Sequence, residues 1–253
     1  MLLDQLEKND VNCAITVTDA MIVGNSNGRK VKLAGTYVSS PLTWALVGRP
    51  NSSSITTSPV LRYGISRKGS GSHTMAYYSS MLDKVKDKSS LSFHVANNFS
   101  GLRQGLLNND FDGFLWEIFT TKPFIDKGEL GLIKLVPTPW SAFSFVINSD
   151  ATKETSSILY NSVFPALNEA INMFQDPKNE KEMINRICKE HGHKELDAIQ
   201  WLSRCIYGNS NEFSIDHNHT LESIKILKET GIVDEKYNIT QLFHNDAKLY
   251  DSK

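Results

Sequence analysis

The sequence predicts an α/β fold of two lobes, with mostly parallel sheets, flanking helices and a helical C-terminal tail. Short apolar runs typical of strands alternate with helical segments up to Ser149. After Ser149 segments with helical spacing dominate. Two stretches that contain proline, Ser39-Ser40-Pro41 and Pro137-Thr138-Pro139, bracket a block rich in strands and helices. A chain that leaves one lobe, builds a second and returns needs two such crossings.

The two stretches set the predicted lobe boundaries. Lobe 1 is predicted to combine residues 1–40 with 138–253, and lobe 2 to comprise residues 41–137. Ligands usually bind in clefts, and the boundary between domains is a preferred place for them. We therefore expect a ligand cleft between the two lobes.

The strands are predicted from apolar runs that end at polar residues, glycine or proline. Val11–Val17 is short and apolar, as expected of a strand buried on both faces. Pro41 and the later prolines are expected to interrupt pairing, because proline has no N–H group to donate. The predicted strands are residues 11–17, 31–38, 43–47, 61–66, 91–95, 111–116, 132–136 and 143–147. Residues 51–58 are polar and predict a surface loop.

The helices are predicted from helical spacing and from capping residues at their ends. Leu2, Leu3 and Leu6 indicate the end of a first helix, and Ser100 is expected to cap another. Pro165 is expected to kink the helix around it. Further helices are predicted at residues 20–23, 75–85, 102–107, 158–174, 181–189, 196–206 and 220–230, with a short helix or turn at 124–130.

The overall composition excludes several classes of protein. The chain has 253 residues and a net charge of −1, which gives no case for nucleic-acid or membrane-surface binding. It has no apolar run of about 20 residues that could span a bilayer. The N-terminus of the given sequence does not resemble a signal peptide, so a cytoplasmic location is expected for the sequence as given. Three cysteines without metal-site spacing indicate buried thiols in a reducing compartment.

One loop offers the strongest candidate site. Ser66-Arg67-Lys68-Gly69-Ser70-Gly71-Ser72-His73 joins a predicted strand to a predicted helix. Free N–H groups at a helix start, hydroxyls and the helix dipole together favour an anion or a polar oxygen. The loop is neither a Walker motif nor a dinucleotide fingerprint. An ordinary N-cap loop is an equally good interpretation of these residues alone, and the dipole favours a neutral His73.

The other candidates lie at predicted strand ends or at the lobe crossings. Each has a structural alternative: Thr18 and Asp19 could cap a helix, Ser39 and Ser40 could form a hinge, and Glu117 could pair with Arg67. Tryptophans are more often core residues than ligand platforms. The candidate ligand-binding residues are Thr18, Asp19, Ser39, Ser40, Trp44, Ser70, Gly71, Ser72, His73, Trp116, Glu117 and Trp140.

No metal or cofactor is expected. His191-Gly192-His193 and His217-Asn218-His219 look like metal pairs, but no carboxylate or cysteine cluster supports them. There is no Gly-x-Ser-x-Gly elbow and no His-Glu-x-x-His motif. No catalytic residue is therefore assigned.

Five ordered segments resemble a known family. They are Thr18-Asp19, Tyr37-Val38-Ser39-Ser40-Pro41-Leu42-Thr43-Trp44, the loop from Ser66 to His73, Trp116-Glu117 and Thr138-Pro139-Trp140. Together they resemble the type II periplasmic-binding-protein fold, in the branch of alkanesulfonate-, nitrate- and taurine-binding proteins and fungal thiamine-pyrimidine synthases. The closest likeness is to a fungal and bacterial group of solute-binding-like proteins. It covers roughly residues 1–150 well and the rest loosely, and several ordered motifs are stronger than one.

The resemblance implies a two-lobed protein that binds a small anionic or polar molecule, such as a sulfonate, a carboxylate or a thiamine-pyrimidine precursor. The sequence departs from the family in lacking a first strand-helix-strand unit. It also lacks the cysteine-rich motif and any match to the cofactor lysine of the synthases. A binding fold is therefore favoured over an enzyme.

Two other functions stay open. One is an enzyme of the thiamine-pyrimidine-synthase type. The other is a ligand-free interaction protein or truncated product, in which a sheet edge left exposed by the missing unit favours a homodimer.

Overall fold

A computed structural model describes residues 2–52, 54, 60–85, 87–208 and 212–252. The predicted loop at residues 51–58 therefore lies largely outside the described residues. The strands are β1 (Cys13–Val17), β2 (Val31–Gly48), β3 (Leu61–Ile65), β4 (Leu91–Val95), β5 (Gly113–Glu117), β6 (Gly131–Asn148), β7 (Ile215–Asp216) and β8 (Leu249–Tyr250). The α-helices are α1 (Leu2–Glu7), α2 (Thr18–Ser26), α3 (Gly71–Leu82), α4 (Phe99–Leu107), α5 (Ile118–Asp126), α6 (Lys153–Ile158), α7 (Phe164–Gln175), α8 (Glu180–His191), α9 (Glu195–Arg204) and α10 (His217–Glu229).

Strands and helices alternate up to β6 and helices follow, so the predicted α/β class with a helical C-terminal tail is confirmed. Hydrogen bonds join six strands in the order β1-β6-β2-β5-β3-β4, and β7 pairs with β8. β3 is parallel to both β4 and β5. Antiparallel pairs join β1 to β6 and β2 to β5.

The chain divides into two compact units. Unit 1 comprises Met1–Pro41, Trp140–Lys225 and Val233–Lys253, and unit 2 comprises Leu42–Pro139 and Ile226–Ile232. β2 and β6 each contribute residues to both units.

The core of unit 1 packs helices of the C-terminal half against β2 and β6. One cluster of this core contains buried Ala34 and Phe145 from these strands and Phe164 from α7. The Phe145 and Phe164 rings lie 4.6 Å apart, and Phe213 packs against both at 4.9 Å. These aromatic contacts fix α7 and the segment around Phe213 on the sheet.

The core of unit 2 is built around β3 and β5. Tyr63, Phe111 and Phe114 are fully buried there. Gly64 faces the Phe111 ring so closely that a Cβ atom would lie 2.4 Å from it. Glycine at this position therefore lets the ring pack directly on the strand backbone.

The prediction that the prolines interrupt pairing is wrong. Residues 31–48 form one strand and residues 131–148 form another, with Pro41, Pro137 and Pro139 inside them. Pro41 is exposed, and the N–H of Leu42 donates to the Thr138 hydroxyl rather than to a strand carbonyl. At this point a side-chain hydroxyl takes the place of a strand carbonyl as acceptor, and β2 continues past a residue that cannot donate.

Three helix boundaries also differ from the prediction. Asn98 rather than Ser100 caps α4, because its Oδ1 accepts from the Gly101 N–H at 2.8 Å. α5 starts at Ile118, directly after β5, and ends before the predicted Leu130. The helix predicted from residue 158 begins earlier, at Lys153: α6, a π-helical turn over Leu159–Val163 and α7 follow one another without a break. Pro165, which was expected to kink this helix, comes directly after the π-helical turn.

None of the helices in the described part of the chain has the length and apolar content needed to cross a membrane.

Candidate functional site

The carboxyl ends of three parallel strands share one edge of unit 2. β3 lies between β4 and β5, with Ile65 opposite Val95 and Gly64 opposite Phe114. Each strand leads into a helix: β3 into α3, β4 into α4 and β5 into α5. In open α/β sheets this is the edge at which ligands bind. Three helix starts at one edge also give it a positive dipole potential.

The loop before α3 is shaped by its glycine and its capping serine. Gly69 has a φ of 71°, a conformation that favours glycine. The Ser70 hydroxyl donates to the Arg67 carbonyl at 2.7 Å and accepts from the His73 N–H at 3.4 Å. Ser70 is therefore the N-cap of α3, and the helix starts at Gly71.

The Ser72 hydroxyl is buried and holds the loop together. It accepts from the Ser66 backbone N–H at 2.9 Å and lies 3.0 Å from the Ser70 hydroxyl and 3.2 Å from the Ser66 hydroxyl. Ser66 was not among the predicted site residues. Ser72 thus fixes the path of the chain from β3 into α3.

Two backbone N–H groups at the start of α3 have no hydrogen-bond acceptor among the described residues. Within the described part of the chain, the N–H groups of Gly71 and Ser72 donate to no acceptor. Arg67 and Lys68 are exposed in the same loop. Neither forms an ion pair with any described residue. Such a set of donors and cations can take an anion or a polar oxygen.

His73 presents a neutral imidazole in the first turn of α3. Burial of the ring, and then the nearby Lys68, lower the pKa of His73. Its Nδ1 atom accepts from the Gly69 N–H at 3.1 Å, so the proton of the neutral ring lies on Nε2. The ring packs edge-on against Phe93 at 4.7 Å. The neutral state agrees with the prediction, with burial as the first cause.

Glu117 caps the helix that follows it. Its carboxylate accepts from the N–H groups of Phe119 at 2.9 Å and Thr120 at 2.7 Å. It also accepts from the Thr120 hydroxyl. The predicted ion pair with Arg67 is wrong, since no such contact exists between these two described residues. Capping satisfies the carboxylate locally, within its own helix.

Two tryptophans meet at the same edge. Trp44 on β2 lies opposite Glu117 of β5 in the strand register. Its ring packs edge-on against Trp116, with centroids 6.4 Å apart. Trp44 is buried, whereas Trp116 is half-buried. Trp44 and Trp116 thus lie at the strand edge from which α5 starts.

Thr18 and Asp19 begin α2 in unit 1, and both are buried. The Thr18 hydroxyl lies 2.7 Å from that of Ser144 on β6. These hydroxyls border a cavity of about 10 Å³, which has room for about one water molecule. The polar surroundings at Thr18 therefore suit a water better than an organic ligand.

Ser39 and Ser40 are engaged with the backbone of a neighbouring segment of unit 1. The Ser39 hydroxyl donates to the carbonyls of Ile206 and Tyr207, and the Ser40 hydroxyl accepts from the Ile206 N–H at 3.1 Å. Trp140 is 1% exposed. Ser39 and Ser40 therefore join β2 to the segment around Ile206, and a role for these three residues in ligand binding stays a prediction.

The structure brings seven of the predicted residues to the strand edge of unit 2. They are Trp44, Ser70, Gly71, Ser72, His73, Trp116 and Glu117. The other five belong to unit 1: Thr18, Asp19, Ser39, Ser40 and Trp140. Sequence reasoning missed Ser66, the last residue of a predicted strand, and Phe99, which follows the end of another by four residues. In the described ranges, no cluster of histidine, cysteine and acidic side chains could hold a metal ion.

Comparison with known proteins shows which family model and which solved structures this chain resembles. Residues 44–136 match the model of the family described as Ca3427-like PBP. No curated protein gives a significant match to the sequence. Among solved structures, the Candida albicans CA3427 gene product, described as having the generic periplasmic binding protein fold, is 26% identical. That match has a TM-score of 0.87 over 99% of this chain and 85% of the other.

Two bacterial proteins share the fold at lower identity. The periplasmic aliphatic sulphonate binding protein SsuA from Escherichia coli is 12% identical, with a TM-score of 0.71 over 100% of this chain and 81% of that one. The alkanesulfonate-binding protein SsuA from Xanthomonas axonopodis pv. citri, bound to MOPS, is 10% identical. Its TM-score is 0.72 over 99% of this chain and 84% of that one.

The chain therefore has the periplasmic-binding-protein fold and is a solute-binding-protein-like module. The resemblance predicted from the five sequence segments is confirmed by the family match and by these structures. The family match covers β5, α3 and the candidate loop. The cleft predicted between two lobes stays a prediction.

Proposed function

We propose that this chain binds a small organic anion, a sulfonate or a carboxylate, with the acidic group at the start of α3. The observation that carries this proposal is the pair of unengaged N–H groups of Gly71 and Ser72 beside exposed Arg67 and Lys68. The Escherichia coli neighbour, an aliphatic sulphonate binding protein, supports this ligand class through its fold.

The energetics suit an anion better than a neutral group. Hydrogen bonds to charged groups stabilise by roughly 1.5–3 kcal/mol each, about twice the value for neutral groups. Two N–H donors and the dipole of a 12-residue helix act on the same charge. His73 adds an uncharged Nε2–H donor in the same turn.

The test removes one donor and keeps the helix. Gly71 occupies the first position of α3, where proline is favoured because its missing N–H is not needed by the helix. Ser70 before it has φ −85° and ψ 163°, a conformation compatible with a following proline. We expect Gly71→Pro to weaken binding of methanesulfonate or acetate, measured by calorimetry, by about tenfold or more.

Two further variants control for the added ring and for the helix. Gly71→Ala adds a Cβ but keeps the N–H, so it should retain more affinity than Gly71→Pro. Lys153→Pro makes the same change at the first position of α6 in unit 1 and should leave affinity unchanged. Equal affinities of Gly71→Pro and the wild type would contradict the proposed site.

A further inference from the structure

Four aromatic side chains of unit 2 pack in a row that includes the strand edge leading into α4 and α5 and extends along α5. Trp44 contacts Trp116 at 6.4 Å, and Trp116 lies 5.4 Å from Phe99, with their planes 33° apart. Phe99 in turn packs edge-on against Phe124 at 5.5 Å. We call Trp44, Trp116, Phe99 and Phe124 the aromatic row. It lies within unit 2, in β2, near the end of β5 and in the helices α4 and α5.

The row is partly exposed in its middle. Trp116 and Phe99 are half-buried, so each ring keeps part of its surface accessible. Tilted rings with partly free faces can accept a further ring in an offset or edge-to-face arrangement. A small aliphatic acid would leave these surfaces uncovered.

Trp44 supplies a second, independent observation. Its side chain belongs to a residue that is only 6% exposed, and its Nε1–H has no hydrogen-bond partner among the described residues. Nearly all buried polar groups in proteins are hydrogen-bonded to protein, water or ligand. An indole nitrogen only donates, so the missing partner is an acceptor.

Of the two positive charges next to the row, that of Arg103 is already neutralised. The Arg103 guanidinium stacks over Phe124, with its Cζ atom 3.6 Å from the ring centroid, and pairs with Glu129 at 2.6 Å. The Nζ atom of Lys127 lies 6.0 Å from the same centroid, but Phe124 and Lys127 stand at the C-terminal end of α5, where the helix dipole disfavours an anion. The start of α3 remains the place for the acid, and the row remains for the rest of the ligand.

We infer that the ligand is an aromatic acid: its acidic group binds at α3, its ring packs on Trp116 and Phe99, and an oxygen or ring nitrogen accepts from Trp44 Nε1–H. This inference rests on the proposed function and adds the ligand's chemical class to it. In this proposal the protein selects its ligand by the aromatic ring that the ligand carries, because the start of α3 accepts any small anion.

The experiment separates the acid from the ring with matched probes. Calorimetry compares methanesulfonate with benzenesulfonate, and acetate with 4-hydroxybenzoate, under one buffer and salt. We expect each aromatic acid to bind at least tenfold more tightly than its aliphatic partner. Benzyl alcohol, which has the ring without the acid, should bind more weakly than benzenesulfonate.

Variants of the row test its two parts. Trp116→Leu should abolish the preference for aromatic acids while methanesulfonate binding is retained. Trp44→Phe keeps a ring but removes the N–H, and it should weaken 4-hydroxybenzoate more than methanesulfonate. Trp201→Phe in unit 1, where Trp201 packs against Phe174, is the matched control and should change neither. Circular dichroism and melting curves verify that each variant is folded.

The outcomes distinguish the two proposals. Equal binding of aromatic and aliphatic acids would overturn the inference and leave the proposed function in place. An unchanged aromatic preference in folded Trp116→Leu would also overturn the inference, because the row would not carry it. Failure of all four acids to bind would overturn the proposed function itself, and the inference with it.

Discussion

At the scale of single residues, the serines of the α3 loop have different roles. Ser70 caps the helix, whereas Ser72 accepts the backbone N–H of Ser66 inside the loop. Both are 2% exposed. Their hydroxyls position the chain, and the backbone N–H groups of Gly71 and Ser72 are the proposed ligand donors. The proposed binding therefore depends on backbone groups whose position is set by side chains.

We expect Ser72→Ala to act mainly on stability. The substitution leaves the buried Ser66 N–H without its acceptor, which costs about 1–3 kcal/mol of unfolding free energy. Urea denaturation measures this loss. Affinity for methanesulfonate should fall less than in Gly71→Pro, because both N–H donors remain.

Ser100→Ala serves as the control for this prediction. Ser100 is exposed on α4, and such surface changes usually alter stability by no more than about 0.5 kcal/mol. The same stability for Ser72→Ala as for Ser100→Ala would show that the Ser66–Ser72 bond contributes nothing.

At the scale of elements, the close approach of β3 to Phe111 is a specific packing requirement. A Cβ atom at Gly64 would lie 2.4 Å from two atoms of the Phe111 ring, which is fully buried. We expect Gly64→Ala to lower the unfolding free energy by about 1–3 kcal/mol, as overpacked cores typically do. Urea denaturation measures it.

A double-mutant cycle identifies the cause. Phe111→Leu alone should destabilise by leaving a cavity, but it should also make room for the alanine methyl group. The two changes together should therefore cost less than the sum of the single variants. Strict additivity would show that Gly64 is required for another reason.

Most elements of the fold are predictable from the sequence, and the exceptions have local causes. Apolar runs indicate the positions of β1, β3 and β4 within a few residues. The continuity of β2 and β6 cannot be predicted from the sequence, because it depends on hydrogen bonds between residues far apart in the chain, such as that from the Leu42 N–H to the Thr138 hydroxyl. Proline signals a break only when no such partner is available.

The candidate site is predictable in its residue types and less so in its contacts. A glycine-serine segment after a strand indicates a helix start, and Ser70 does cap α3. The sequence shows neither that Ser66 pairs with Ser72 nor that Glu117 turns back onto α5. Those contacts depend on side-chain rotamers. Phe99 is missed because the row forms only when α4 and β5 are adjacent in space.

At the scale of the whole molecule, the fold is shared with solute-binding proteins, while the proposed ligand class depends on a few side chains of one unit. The three neighbouring structures match this chain at TM-scores of 0.71–0.87 despite identities of 10–26%. The fold is thus kept while the site residues can differ. The predicted homodimer through a sheet edge stays a prediction.

Unit 2 is further stabilised by a buried carboxylate whose protonation makes stability depend on pH. The Asp112 carboxylate accepts from Arg62 Nε at 3.0 Å and Nη2 at 2.7 Å, and Arg49 lies 3.6 Å away. Burial alone would raise the pKa of Asp112, but the bonds and charges of Arg62 and then Arg49 hold it below its ordinary value. The folded protein therefore binds this proton less readily than the unfolded chain.

The sign of the effect follows from linkage. Because the folded pKa lies below the unfolded value of about 3.9, the stabilisation is complete above that value and is lost as pH falls through the folded pKa. We expect Asp112→Asn to reduce the unfolding free energy at pH 7 by about 1–2 kcal/mol, since the exposed part of Arg62 is screened by solvent. Urea denaturation at pH 7 and pH 3 should show this difference shrinking at the lower pH. Asp110→Asn, at the exposed neighbour, should show little difference at either pH. A loss in Asp112→Asn that is the same at both pH values would mean that the ion pair does not supply the stabilisation.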